Sequence, residues 1–127
     1  MDNGTPYTAQ FAVHEKFRFV TIIPDYEVRT EDARRILPAD MSYADAIYQM
    51  GRCATLGKAL ESGDEEMVRH ACVDRMQEPY RSGSTMLAIC TAQTGAGICE
   101  ALSQSYPRWQ VLELKAAVKG GAVETHE

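Results

Sequence analysis

At 127 residues, with 45% hydrophobic and 24% charged side chains, the chain has the size and composition of one soluble globular domain with a single core. Its net charge of −5 and its scattered arginines argue against nucleic acid or an anionic membrane as partners, because both demand a concentrated positive face. No apolar run approaches the roughly 18 to 20 residues needed to span a bilayer, and the polar start MDNGTPYTAQ lacks the pattern of a secretory signal, so a cytoplasmic location is expected.

In chain order, the alternation of Tyr7, Ala9, Phe11 and Val13 with Thr8, Gln10 and Ala12 predicts a short strand. FRFVTII, Phe17 to Ile23, is rich in aromatic and β-branched residues and stops at Pro24-Asp25, which predicts a buried strand. Thr30 is the expected N-cap of a short helix with Glu31 and Asp32 in its first turn, Arg34 and Arg35 near its end and Pro38 as its stop. Ser42 and Asp45 form a capping pair ahead of a long helix, about Tyr43 to Glu61, with a predicted apolar stripe of Ile47, Met50, Ala54, Gly57 and Leu60. The small residues Gly51, Ala54 and Gly57 suggest close approach of another backbone. Ser62-Gly63 ends that helix, and Asp64 caps another that buries Met67, Val68, Ala71, Cys72 and Met76 before Pro79.

Thr85 to Thr91 reads as a second buried strand, Gly95 to Tyr106 as a helix with Ile98, Cys99, Leu102 and Tyr106 inward, and Trp109 to Ala116 as a third strand. The end, with Gly120-Gly121 and VETHE, reads as a tail. Strand, helices, strand, helix, strand is the order of an α+β two-layer domain with helices on one face of a small sheet. Cys53, Cys72, Cys90 and Cys99 are spaced 19, 18 and 9 apart without a CxxC, so they are expected as reduced core residues rather than metal ligands. His14, His70 and His126 have no nucleophile or carboxylate at motif spacing, and structural or solvated roles are expected for them. Glu31 and Asp32 fit a helix first turn, where stabilising the dipole needs no catalysis.

Three blocks, IIPDYEVRTEDARRILP, YADAIYQMGRCATLGKALESGD and DRMQEPYR, occur in an order that resembles the C-terminal half of the homoserine kinases, in the GHMP small-molecule kinase family. The resemblance runs from Phe17 to about Tyr80 and resumes at Ser82. It implies a ferredoxin-like βαββαβ domain and, for the full-length family, transfer of the γ-phosphoryl group of ATP to the homoserine hydroxyl with magnesium, on the route to threonine. On that basis residues 1–16 are a remnant of the ATP-binding domain, 17–118 the C-terminal-type domain and 119–127 the tail.

Two departures qualify that implication. The family loop Pro-x-x-x-Gly-Leu-Gly-Ser-Ser, which holds ATP phosphates on backbone N–H groups, has no counterpart among these residues. After Arg81, the helix and the edge strand that the family places before its Ser-Gly-Ser-Gly-Pro-Thr loop are missing, and Ser82-Gly83-Ser84 meets Thr85 without the Gly-Pro pair. The chain alone is therefore expected to bind no cofactor and to be inactive as a kinase. Arg81 matches the arginine that in the family lies near the homoserine carboxylate, a task its forked guanidinium suits, although an exposed arginine after a helix stop fits equally. Glu78 stands where the family often has histidine. Ser82, Gly83, Ser84 and Thr85 form either a small anion-binding nest or a simple tight turn. Expected partners are homoserine or a similar small amino acid, bound weakly, and a second copy joined at the exposed edge of the sheet unless Tyr7 to Val13 folds back to cover it, since TMLAICT has no charge, proline or glycine to protect it. The alternative reading is a non-catalytic ferredoxin-like module for binding a small amino acid or for oligomerisation.

Overall fold

The computed structural model describes residues 4–76, 78–79 and 85–117. The elements are β1 (Phe17–Ile23), α1 (Thr30–Arg35), α2 (Tyr43–Ser62), α3 (Glu65–Ala71), β2 (Met86–Thr91), α4 (Ala92–Ser105) and β3 (Gln110–Leu114). The three strands form one sheet in the order β2-β1-β3, antiparallel at both pairings. The expected α+β architecture and the central position of Phe17 to Ile23 are both present.

Strand β1 alternates between two environments because successive side chains leave opposite faces. Val20 and Ile22 join Cys90 in a cluster closed by Ile98, Cys99 and Leu102 of α4 and by Trp109 and Val111. Phe17 belongs to a separate cluster with Ala59 of α2 and Val68 of α3, to which Val13, Leu56, Leu60, Met67 and Ile89 add. The single helical layer expected on one face is therefore α4 alone, while the α2–α3 hairpin meets the sheet at its Phe17 end. Gly95 sets the seat of α4: a Cβ there would lie 3.1 Å from the Glu113 carboxylate and 3.2 Å from the Cys90 sulfur.

Local signals at the helix ends act as the sequence implies. Ser42 accepts from the Asp45 N–H at 3.0 Å, and Asp64 accepts from the Met67 N–H at 2.9 Å, each satisfying an otherwise orphaned donor. Gly63 closes α2 in the left-handed region, φ 75°, where its N–H reaches the Ala59 carbonyl. At α1 the cap position falls on Arg29, without a side-chain hydrogen bond, instead of on Thr30. Helix α4 begins three residues earlier than expected, since Thr91 at the end of β2 accepts from the Thr94 N–H.

Several packing expectations change. Tyr7 to Val13 forms no strand; this segment lies along α2, with the Phe11 ring 3.4 Å from where a Gly57 Cβ would be and the His14 N–H bonded to the Leu60 carbonyl at 2.8 Å. Gly57 thus receives an aromatic ring, whereas Gly51 faces open space. Ile47 and Met50 are 51% and 64% exposed, because the buried stripe of α2 runs through Leu56, Ala59 and Leu60 where α3 and Val13 meet it. Cys53, Cys72 and Met76 are exposed, leaving Cys90 as the one buried thiol among the described residues. Tyr106 is half exposed but stacks on Trp109 with ring centroids 4.1 Å apart. Met86 to Thr91 is a strand of mixed burial in which Cys90 alone is buried, because among the described residues no element pairs with its outer side.

The turn at Gly63 is doubly constrained: its positive φ excludes most side chains, and the His14 ring lies 2.9 Å from the position of an added Cβ. Gly63→Ala is expected to lower stability by about 1 to 2 kcal/mol, from the left-handed backbone together with displacement of His14. Urea unfolding followed by circular dichroism checks this, with a lower midpoint and an unchanged slope as the expected result.

Candidate functional site

Arg81, Ser82, Gly83 and Ser84 lie outside the described residues, so the site is built from what flanks them. On the downstream side Thr85 is exposed at a bend just before β2. On the upstream side the segment after α3 is fastened to α2. Arg75 donates from its backbone N–H to the Gln49 side-chain oxygen at 3.1 Å and from its guanidinium to Asp45 at 3.2 Å, and its guanidinium lies 3.8 Å from the centre of the Tyr48 ring. Arg52 reaches the same ring at 4.6 Å and donates to the His70 carbonyl at 2.7 Å. Asp74 accepts from the Met76 N–H at 2.6 Å, which turns the chain toward Pro79. A helix-borne tyrosine with two arginines on its π-face thus holds the segment that leads into Arg81. Sequence reading missed Tyr48, Arg52 and Arg75. Their signal was available as a spacing of four between Tyr48 and Arg52 on one helix face.

Beside this anchor a cleft of about 230 Å³ is lined by residues 37–41 with Arg75 and Met76. A second, of about 390 Å³, follows the outer edge of β2 between α3 and α4. A third, of about 770 Å³, lies away from both, bounded by residues 10–18 and 115–117. Its size does not make it the site: Lys16 is held by the Gly63 carbonyl at 3.0 Å and Glu65 at 2.7 Å, and Arg18 donates to the Glu15 and Phe17 carbonyls.

Charge is tuned in three places. Hydrogen bonds from Ser42 and then Arg75 hold the Asp45 carboxyl below its ordinary value, against the opposing effect of desolvation. Desolvation, aided by Glu78, pushes the Cys72 thiol up. Burial, aided by Glu113 and Cys99, does the same to Cys90, so neither thiol is activated as a nucleophile. Glu31 and Asp32 sit in the first turn of α1, where Asp32 faces Arg35 at 3.7 Å. His14 packs on Gly63 and accepts from the Lys16 N–H at 3.2 Å. His126 lies outside the described residues. Among the described residues, no group of three or more His, Cys, Asp and Glu is placed to hold a metal ion.

These features define a class first: a three-stranded antiparallel α+β domain with α4 packed on one face of its sheet and the α2–α3 hairpin at its Phe17 end. No protein-family model matches the chain. It is 43% identical over 74 residues to the homoserine kinase of Crocosphaera subtropica, an overlap that covers 58% of the chain and 24% of the relative. Against the homoserine kinase of Trichormus variabilis it is 30% identical over 133 aligned positions, covering 84% of the chain and 43% of the relative. A crystal structure of homoserine kinase from Cytophaga hutchinsonii superposes with a TM-score of 0.77 over 84% of the chain and 44% of that structure, and at 22% identity it shows a common fold. The chain is homoserine kinase-like, and it spans only 24% and 43% of the length of these two relatives.

Two outcomes are expected at the anchor. In a double-mutant cycle of Tyr48→Leu and Arg75→Met, the coupling energy from denaturant unfolding should be about 0.5 to 1 kcal/mol, the range of an exposed cation–π pair. For Asp45, a folded-state pKa below the unfolded value means its contribution is complete above the ordinary carboxylate value near 3.9 and is lost as pH falls through the folded-state value. Asp45→Asn should therefore flatten the acid limb of the stability profile below about pH 4 and leave its shape near neutrality unchanged, as read by urea midpoints across pH.

Proposed function

We propose that the chain is the C-terminal, substrate-side portion of a homoserine kinase-like phosphotransferase, with 17–118 as its folded domain, 1–16 as the connection from an ATP-binding portion and 119–127 as a tail. The observation that carries this reading is the 43% identity over 74 residues to the Crocosphaera subtropica enzyme. For the whole protein, the activity is ATP-dependent phosphorylation of the homoserine hydroxyl, with magnesium.

The residues present do not fit MgATP. The sequence contains no Gly-Leu-Gly-Ser-Ser loop, and the described residues offer no carboxylate cluster for the metal. Nor does the start of α4 substitute for that loop, because the space beside Gly95 is taken up by Glu113 and Cys90. Phosphoryl transfer relies on positioning and charge stabilisation around the transferred group, so no step of it is assigned to these 127 residues. Their share of the work is the amino acid. Arg81, delivered by the segment that Arg75 and Tyr48 fasten to α2, supplies a forked donor pair for its carboxylate, and Ser82, Gly83, Ser84 and Thr85 supply N–H and hydroxyl donors beside it. A second reading, for the chain taken by itself, is a non-catalytic module that binds a small amino acid without turning it over, since the sequence carries no Gly-Leu-Gly-Ser-Ser loop.

Tested alone, the 127 residues should show no heat of MgATP binding and no ADP release with homoserine. Homoserine itself should bind in roughly the millimolar range, and Arg81→Ala should weaken it about tenfold or more, the worth of one charge-assisted contact. Chemical-shift titration reads this directly. Unchanged binding in Arg81→Ala would remove Arg81 from the site, and turnover within tenfold of a full-length homoserine kinase would overturn the division of labour.

A further inference from the structure

Arg75 and Asp40 line one cleft without pairing with each other. The ion pair that Arg75 makes is with Asp45, at 3.2 Å, and among the described residues Asp40 has no hydrogen-bond or ion-pair partner. The cleft, about 230 Å³, forms where the connection between α1 and α2 meets the segment after α3. Its remaining walls include Leu37, Pro38, Met41 and Met76, none of them charged. Both methionines are part-exposed, and an unbranched thioether side chain readily adjusts its shape to a guest.

Arg75 is set in place before any ligand arrives. Its backbone N–H reaches the Gln49 side chain at 3.1 Å, its guanidinium reaches Asp45, and that group lies 3.8 Å from the centre of the Tyr48 ring. Nη1 is the one guanidinium nitrogen so engaged, and the other donors of the fork have no partner among the described residues. A side chain fixed by such support loses less freedom when it binds, which favours recognition of a small molecule.

The lining selects a ligand class. A simple anion would leave Asp40 repelling it, and a simple cation would meet the same objection from Arg75. A free α-amino acid carries a carboxylate and an ammonium on one carbon with a single side chain beside them, so it answers both charges at once. Pockets for drug-sized ligands run from about 300 to 1,000 Å³, so this smaller one suits a molecule of amino-acid size. Its uncharged walls offer a charged side chain no counterion. We propose that this cleft binds a free α-amino acid with a short apolar side chain, the Arg75 guanidinium taking its carboxylate, Asp40 its ammonium, and Leu37, Pro38, Met41 and Met76 its side chain. The site is built from described residues alone and does not depend on the role assigned to Arg81.

The probe is L-norvaline, titrated into the full 127-residue chain and followed by backbone chemical shifts. Saturable shifts are expected at Asp40, Met41 and Met76, with a dissociation constant of roughly millimolar order. Pentanoate lacks the ammonium and butylamine lacks the carboxylate, and each should bind about tenfold more weakly or worse, the worth of one charge-assisted contact. Asp40→Asn, at an exposed residue, should leave the circular dichroism unchanged and weaken norvaline by about the same tenfold. Arg81→Ala should leave norvaline binding as it is. Four results overturn the proposal: no saturable shifts at these residues, pentanoate or butylamine binding as tightly as norvaline, unchanged affinity in Asp40→Asn, or loss of norvaline binding in Arg81→Ala, which would assign the shifts to the site proposed for homoserine. Homoserine binding is read through Arg81→Ala and this cleft through Asp40→Asn, so the two readings fail separately.

Discussion

Every interstrand hydrogen bond of the sheet has β1 as one partner. Phe17 to Ile22 pairs with Thr91 to Met86 on one side, and Phe19 to Ile23 pairs with Leu114 to Gln110 on the other. The same strand supplies the fully buried Val20 to the α4 cluster and Phe17 to the α2–α3 cluster. Two separate cores therefore meet at β1, and its neighbour β2 also serves both, with Ile89 in the α2–α3 cluster and Ala88 and Cys90 in the α4 cluster. A change at Val20 is felt by α4, β2 and β3 together, whereas a change in the Ile47 and Met50 turn of α2 meets solvent.

Much of this was legible in the sequence, for identifiable reasons. The bounds of β1 followed from a β-branched run ending at Pro24, and those of α2 from Ser42 and Gly63, because caps and breakers act over three or four residues. Which face of α2 is buried was not legible. An amphipathic pattern gives a stripe, but the choice between Ile47-Met50 and Leu56-Ala59 depends on where α3 and Val13 lie, and that is tertiary information. Tyr7 to Val13 failed for a similar reason: alternation implies a strand only if an edge accepts it, and α2 took up Phe11 and Val13 instead. Of the candidate site, Arg81 and residues 82–84 lie outside the described residues, while the fastening of the segment after α3 by Tyr48, Arg52 and Arg75 needed contacts between residues up to 30 positions apart.

The structure also separates two kinds of polar residue that look alike in a sequence. Lys16 and Arg18 belong to the entrance of β1 and are consumed in holding it, by Glu65 and by backbone carbonyls. Arg75 is held as well, by Gln49, Asp45 and the Tyr48 ring, and it fastens the segment after α3 to α2.

The central place of β1 has a consequence for biosynthesis. Its partners begin at Met86 and Gln110, more than sixty and more than eighty residues downstream of Ile23. Contacts so distant in sequence form late, because closing the intervening chain comes before any pairing can reward it. The α2–α3 hairpin, by contrast, is complete within Tyr43 to Ala71 and can fold as soon as it leaves the ribosome. FRFVTII therefore has no strand to pair with until Met86 to Thr91 has been made. The segment on which the finished sheet depends thus waits unpaired while more than sixty residues follow it, an interval in which nascent-chain chaperones can hold it.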